Sequence, residues 1–233
     1  MKFLKLLFFA TFLLFFFQCK NEKGSEKNVP KISTIKEHTK SKLEEKISKP
    51  WDSLNKDNVE AFFTEYGKEN KETKIRIKTK FGNIKIRLYK DVPIHRANFI
   101  FLTKIKYFNT TEFYRVAKNF VIQGGNSDET YTIKQRRLYG NYRIQPEFKA
   151  NRKHKYGALA AARDWEENPN KLSNPFEFYI VHNRNGAHHL NNEHTVFGEV
   201  IAGFDTMDKI AKVKVGVDEW PLEDIRMTVE ILD

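Results

Sequence analysis

Phe113-Tyr114-Arg115-Val116, followed by Phe120-Val121-Ile122-Gln123-Gly124-Gly125-Asn126, sets one arginine and one glutamine among apolar side chains and ends in a Gly-Gly turn. The apolar runs predict short strands at 112–116 and 119–123. Downstream stand Gly157-Ala158-Leu159-Ala160-Ala161-Ala162-Arg163, then Phe178-Tyr179-Ile180-Val181, then His194-Thr195-Val196-Phe197-Gly198. These blocks predict strands at 158–161, 176–181 and 195–200. Upstream, Ile75, Ile77, Ile84, Ile86 and Leu88 alternate with charged residues around Phe81-Gly82-Asn83. That pattern is a β-hairpin with one buried face. Pro93 sits near a helix start, and Ala97, Phe99, Ile100, Leu102 and Ile105 give a helical stripe. A helix near 204–211 and a strand at 224–232 end the chain. About eight short strands with two helices suit a closed barrel, because closure removes exposed edges.

The stretch FYRVAKNFVIQGGN resembles the catalytic signature of the cyclophilin family of peptidyl-prolyl cis/trans isomerases. The later blocks follow in the family's order, from about residue 73 to the C-terminus. The resemblance implies a mostly β domain over 73–233, built as a closed eight-stranded β-barrel capped by two helices. It also implies an Xaa-Pro substrate in an extended or unfolded chain, and no cofactor. Rotation about that amide costs about 18–20 kcal/mol because the C–N bond has partial double-bond character. In the twisted state the prolyl nitrogen recovers a lone pair. A donor aimed at it binds that state better than either planar state, which is what catalysis requires. Arginine suits the task, being always charged with its donors on a rigid planar fork.

On this resemblance Arg115 matches the catalytic arginine. Gln123 matches the residue that orients it and binds substrate backbone. Phe120, Val121, Tyr179 and Leu190 match the wall around the proline ring. Ala162 and Arg163 match the rim strand along which the peptide lies, and His194 matches a pocket histidine. Taken without the resemblance, the four apolar residues read as plain core and Arg115 as a surface ion-pair residue.

Three departures bear on activity. Glu177 stands where the family usually carries glutamine, and an ionised carboxylate accepts hydrogen bonds but donates none. Near Arg115 it would form a charge-assisted pair, either holding the guanidinium or competing with the prolyl nitrogen. His189 stands where many members have tryptophan or another large apolar residue, which makes that wall more polar. The segment 164–174, with Trp165 and Pro169, reads as a surface loop with little bearing on the chemistry. Glu177 and His189 keep a second function open: a non-catalytic proline-peptide-binding module or holdase on the same groove.

Residues 1–18 read as a signal peptide, with Lys2 and Lys5 before the apolar run Leu6 to Phe17. That run is too short for a comfortable span. Cys19, the chain's only cysteine, resembles a bacterial lipoprotein's lipidation site. An ordinary signal peptide that leaves a free thiol is the alternative. The lipoprotein reading places the protein in a bacterial cell envelope, lipid-anchored to a membrane, with 19–49 as a flexible tether. That segment is polar and rich in Lys, Glu and Ser, too poor in apolar surface to offset its ordering entropy. Within a helical extension over 50–72, Val59, Phe62, Phe63 and Tyr66 predict an amphipathic helix at 57–66, stopped by Gly67. It either packs on the following domain or meets a partner or membrane.

The formal net charge of +11 favours anionic partners such as membrane head groups. His182, His188, His189 and His194 lie close in sequence, but no pairing such as HExxH orients them, so no metal is expected. Two basic clusters, 134–137 and 152–155, with Tyr139 and Tyr142 between them, read as solvated loops rather than a nucleic-acid surface. A monomer is expected.

Overall fold

The isoleucine alternation folds as the sequence requires. In the computed structural model, which describes residues 54–232, β1 (Lys74–Thr79) pairs antiparallel with β2 (Gly82–Leu88). Ile75, Ile77, Ile84 and Ile86 are fully buried. Each such side chain contributes about 1.5–3 kcal/mol relative to leaving it in water. The leader 1–18, Cys19, the tether 19–49 and Trp51 lie outside the described residues.

The remaining strands are β3 (Arg115–Ala117), β4 (Val121–Gly124), β5 (Ala158–Ala161), β6 (Phe178–Val181), β7 (Val196–Ala202) and β8 (Thr228–Ile231). They form one antiparallel sheet in the order β3-β4-β6-β5-β7-β2-β1-β8. The expectation of a closed barrel is therefore corrected. Among the described residues no ladder joins the end strands β3 and β8, so the sheet is an open half-barrel. A single bridge, Glu112 with Arg226, and the bonds Phe113 N–H to Ile225 O (3.0 Å) and Met227 N–H to Thr111 O (3.2 Å) span the gap. The reason lies in where two edge donors go. Val116 N–H bonds Glu219 O at 2.8 Å, and Val229 N–H bonds the Asn109 side chain at 3.2 Å.

The fold is also mixed α/β rather than mostly β. Four helices flank the sheet among the described residues: α1 (Val59–Glu69), α2 (Pro93–Lys104), α3 (Thr130–Leu138) and α4 (Phe204–Ile210). Pro93 begins α2, where its missing N–H costs nothing. α1 packs against α2 through Phe62, Phe63 and Tyr66, whose rings lie 5.6–5.8 Å from that of Phe101. Gly67 does not stop α1. A Cβ there would stand 3.2 Å from that of Ala97, so the glycine permits close helix approach. The free carbonyls at the end of α1 are met instead by the buried Arg96, which donates to Asn70 O at 2.6 Å and Gly67 O at 3.0 Å.

Helix α3 replaces the solvated loop expected around Lys134–Arg137. Tyr139, Tyr142 and His154, expected among basic loops, are buried.

Candidate active site

Strand register lines up the site. Arg115 stands opposite Gln123, Gln123 opposite Tyr179, and Tyr179 opposite Ala160, a row across β3, β4, β6 and β5. Side chains alternate along a strand, so their neighbours Val116, Ile122, Ile180 and Leu159 fill the core on the other face. Gly125, just after β4, has φ 96, and a Cβ there would stand 2.1 Å from Phe176 O. Only glycine fits that turn.

The row opens into a cleft of about 480 Å³. Every expected site residue except Glu177 lines it: Arg115, Phe120, Val121, Gln123, Ala162, Arg163, Tyr179, His189, Leu190 and His194. His189 stacks on Phe120 with ring centroids 5.6 Å apart, so the polar substitution still presents a flat wall. A second cleft of about 450 Å³ has Arg87 paired with Glu199 and Arg152 paired with Asp91.

The guanidinium of Arg115 is held from two sides. Nη1 donates to Gln123 Oε1 at 3.2 Å, and Nη2 meets Glu219 Oε2 at 2.7 Å. Gln123 Nε2 donates to the Tyr114 hydroxyl, which donates to Glu177 Oε2 at 2.9 Å; Glu177 Oε1 accepts from Arg136 Nη1 at 2.8 Å. Chemistry fixes the direction of this chain. Arginine only donates and a carboxylate only accepts, so the Gln123 oxygen must face Arg115 and the Tyr114 proton must face Glu177. The Tyr114 hydroxyl is pushed well above the usual phenol range by burial and then by Glu177. The condition for a direct Glu177–Arg115 pair is not met: Glu177 reaches Arg115 only through Tyr114 and Gln123.

Two neutral histidines brace the apolar wall. Asn191 Oδ1 accepts from the His154 backbone N–H and stands 3.0 Å from its Nδ1, so Nδ1 carries the proton. His154 Nε2 is then left to accept from the Tyr179 hydroxyl at 3.0 Å. His194 Nδ1 donates to Ala161 O at 3.0 Å. Burial lowers both imidazoles to about 4, so both are uncharged at neutral pH. His182 pairs with Asp208 at 3.0 Å, away from the cleft lining.

Two residues escaped the sequence reading. Trp165 lines the cleft while 61% exposed, its ring edge-on to His194 at 5.2 Å and beneath the Arg163 guanidinium at 4.1 Å. Arg163 is itself fastened to Glu193 O and Oε2, each at 2.8 Å. The segment 164–174 therefore does bear on the site. A tryptophan two residues beyond the Ala162-Arg163 rim was the available signal. Glu219, far down the chain, left none.

The chain matches the family described as "Cyclophilin type peptidyl-prolyl cis-trans isomerase/CLD" over residues 74–230. It is 35% identical over 164 residues to "Peptidyl-prolyl cis-trans isomerase-like 2" of Rhizopus delemar, covering 70% of this chain and 29% of that protein. It is 33% identical over 153 residues to "Peptidyl-prolyl cis-trans isomerase-like 3" of Dictyostelium discoideum, covering 65% of this chain and 89% of that one. This chain thus spans less than a third of the Rhizopus protein and most of the Dictyostelium one. A crystal structure of a Cryptosporidium parvum cyclophilin-type isomerase in the presence of the dipeptide Ala-Pro superposes with TM-score 0.59 at 25% identity, covering 69% of this chain and 99% of that one. Family match and site geometry agree, and the chain belongs to the cyclophilin-type peptidyl-prolyl cis-trans isomerases, enzymes of the Xaa-Pro bond.

Proposed function

We propose that this isomerase acts on extended Xaa-Pro segments of exported proteins from a lipid-anchored position in a bacterial envelope. In this reading Arg115 donates to the prolyl nitrogen as the amide twists, and Gln123 orients Arg115 and binds substrate backbone. Phe120, Val121, Tyr179, Leu190 and His189 hold the proline ring, while Ala162, Arg163 and His194 line the path of the peptide. The observation that carries it is the placement of Arg115, held by Gln123 at the mouth of a cleft walled by apolar rings. A water-poor cup strengthens a charge-assisted contact. Ala-Pro, the dipeptide named with the Cryptosporidium structure, is the smallest ligand of the kind this cleft would take.

The non-catalytic alternative rested on Glu177 and His189. Glu177 is engaged with Tyr114 and Arg136 rather than Arg115, and His189 lies flat on Phe120. The anchor rests on sequence: the apolar run before Cys19 and the polar tether after it. One lipid chain binds membranes only marginally, so a lasting anchor needs more than one. The enzyme is read as a monomer that needs no cofactor and meets no nucleic acid.

Isomerisation of an Xaa-Pro peptide by the full chain, with Arg115→Ala alongside, tests the chemistry. Activity lost in the variant, with peptide still bound, supports the assignment; equal rates end it. Mass spectrometry of the mature N-terminus tests the anchor, and an unmodified Cys19 sinks it.

A further inference from the structure

Glu219 brings its carboxylate to the site on an unfavourable backbone. Its φ is 65, in the left-handed region that glycine enters freely and a long side chain adopts at a cost. The surrounding turn is tightly fastened. Gly216 N–H bonds Trp220 O at 2.8 Å, and Glu219 N–H bonds Gly216 O at 3.2 Å. The turn also grips β3 on both sides of Arg115. The Trp220 ring lies 5.4 Å from that of Tyr114, and Glu219 O accepts from Val116 N–H at 2.8 Å. Strained backbone persists where surrounding contacts over-determine it, and here its product is the 2.7 Å pair with Arg115 Nη2.

We propose that Glu219 is a positioning residue for Arg115: it fixes the second arm of the guanidinium, whose first arm Gln123 holds. A guanidinium on a flexible side chain pivots about a single acceptor. Two acceptors on different nitrogens define its plane and leave its remaining donors a fixed direction toward the cleft. Catalysis by a donor depends steeply on such alignment, because only a contact strengthened in the twisted state raises turnover. The carboxylate also withdraws some positive potential from the guanidinium. The pair is partly exposed to water, which screens that loss, whereas the geometric constraint does not depend on the dielectric. Alignment therefore outweighs attenuation.

The proposal rests on Arg115 as the donor to the prolyl nitrogen, and the test separates the two ideas. Full-length wild type, Glu219→Ala, Glu219→Gln, Glu219→Gly and Arg115→Ala are compared for kcat, KM and Tm. Glu219→Ala is expected to lower kcat about five- to tenfold with KM within about twofold. Glu219→Gln, which keeps an acceptor oxygen, retains at least about half of kcat. Glu219→Gly is the sharpest variant: it relieves the left-handed strain, so Tm holds or rises while kcat falls as in Glu219→Ala. A merely structural role predicts that kcat follows Tm. Unchanged or faster kcat in Glu219→Ala and Glu219→Gly overturns the proposal, as does Glu219→Gln falling with Glu219→Ala. If Arg115→Ala is inactive while the Glu219 variants are normal, Glu219 alone is refuted. If Arg115→Ala is fully active, both ideas fall.

Discussion

Glu177 accepts the Tyr114 hydroxyl at 2.9 Å, and through that one bond an acceptor-only group sets the sense of every hydrogen bond back to Arg115. Glutamine in its place would turn its oxygen to the donor-only Arg136 and its N–H to Tyr114, so the Tyr114 hydroxyl would lose its acceptor and Arg115 alone would still orient Gln123. Glu177→Gln should lower kcat about two- to fivefold with little change in KM, measured by isomerisation of a model peptide. A faster variant would mean that the carboxylate restrains Arg115 through the chain.

Trp165 is 61% exposed beside the cleft, and tryptophan is among the residues enriched at binding hot spots. Trp165→Ala should raise KM about three- to tenfold for peptides with an apolar residue next to proline. The value of kcat should hold, because nothing places the indole against Arg115. Equal KM values would show that the ring is only a lid on His194.

The Tyr179 hydroxyl satisfies His154 Nε2 inside the protein. Tyr179→Phe keeps the wall but leaves that nitrogen unpaired, a cost of about 1–2 kcal/mol. Urea unfolding should show that loss with an unchanged m value. No loss would mean that water replaces the hydroxyl.

Glu112 sits in the seam between β3 and β8 and is only 3% exposed. Burial, then Asp224 and Asp128, raise its carboxyl to about 7, while Arg226 acts in the opposite sense. The folded protein therefore holds this proton over a range where the unfolded chain, with its ordinary value of 4.5, has released it. The resulting stability is fully present below the unfolded value and is lost as pH rises toward 7. The histidines His154 and His194, lowered to about 4, act oppositely, losing stability as pH falls below 6.5. The informative quantity is the difference between wild type and Glu112→Gln. The variant should gain on wild type by about 1–3 kcal/mol between pH 4.5 and 7, read by urea unfolding. A pH-independent difference would place the titration elsewhere.

The sequence was most legible where one local rule decided the structure. Alternating isoleucines made the first hairpin, and Pro93 placed a helix start nearby, which the structure puts at that residue. The Arg115, Gln123 and Tyr179 positions followed from family likeness, and the register explains why they converge. Closure was not legible, because it depends on whether Val116 N–H reaches β8 or the Glu219 carbonyl, a choice made by residues a hundred positions apart. Helix α3 was missed because Tyr131, Ile133 and Leu138 are exposed, leaving no buried stripe to see. The partner of Glu177 was left open because Arg136, its actual ion-pair partner, lies on that unseen helix.

The turn that carries Glu219 also covers part of an edge strand. A bare strand edge is a template on which any extended chain can add itself. With Val116 N–H already bonded to Glu219 O, β3 offers fewer main-chain sites for such annealing. The half-open sheet is thus partly guarded at this edge against zipping onto a passing chain.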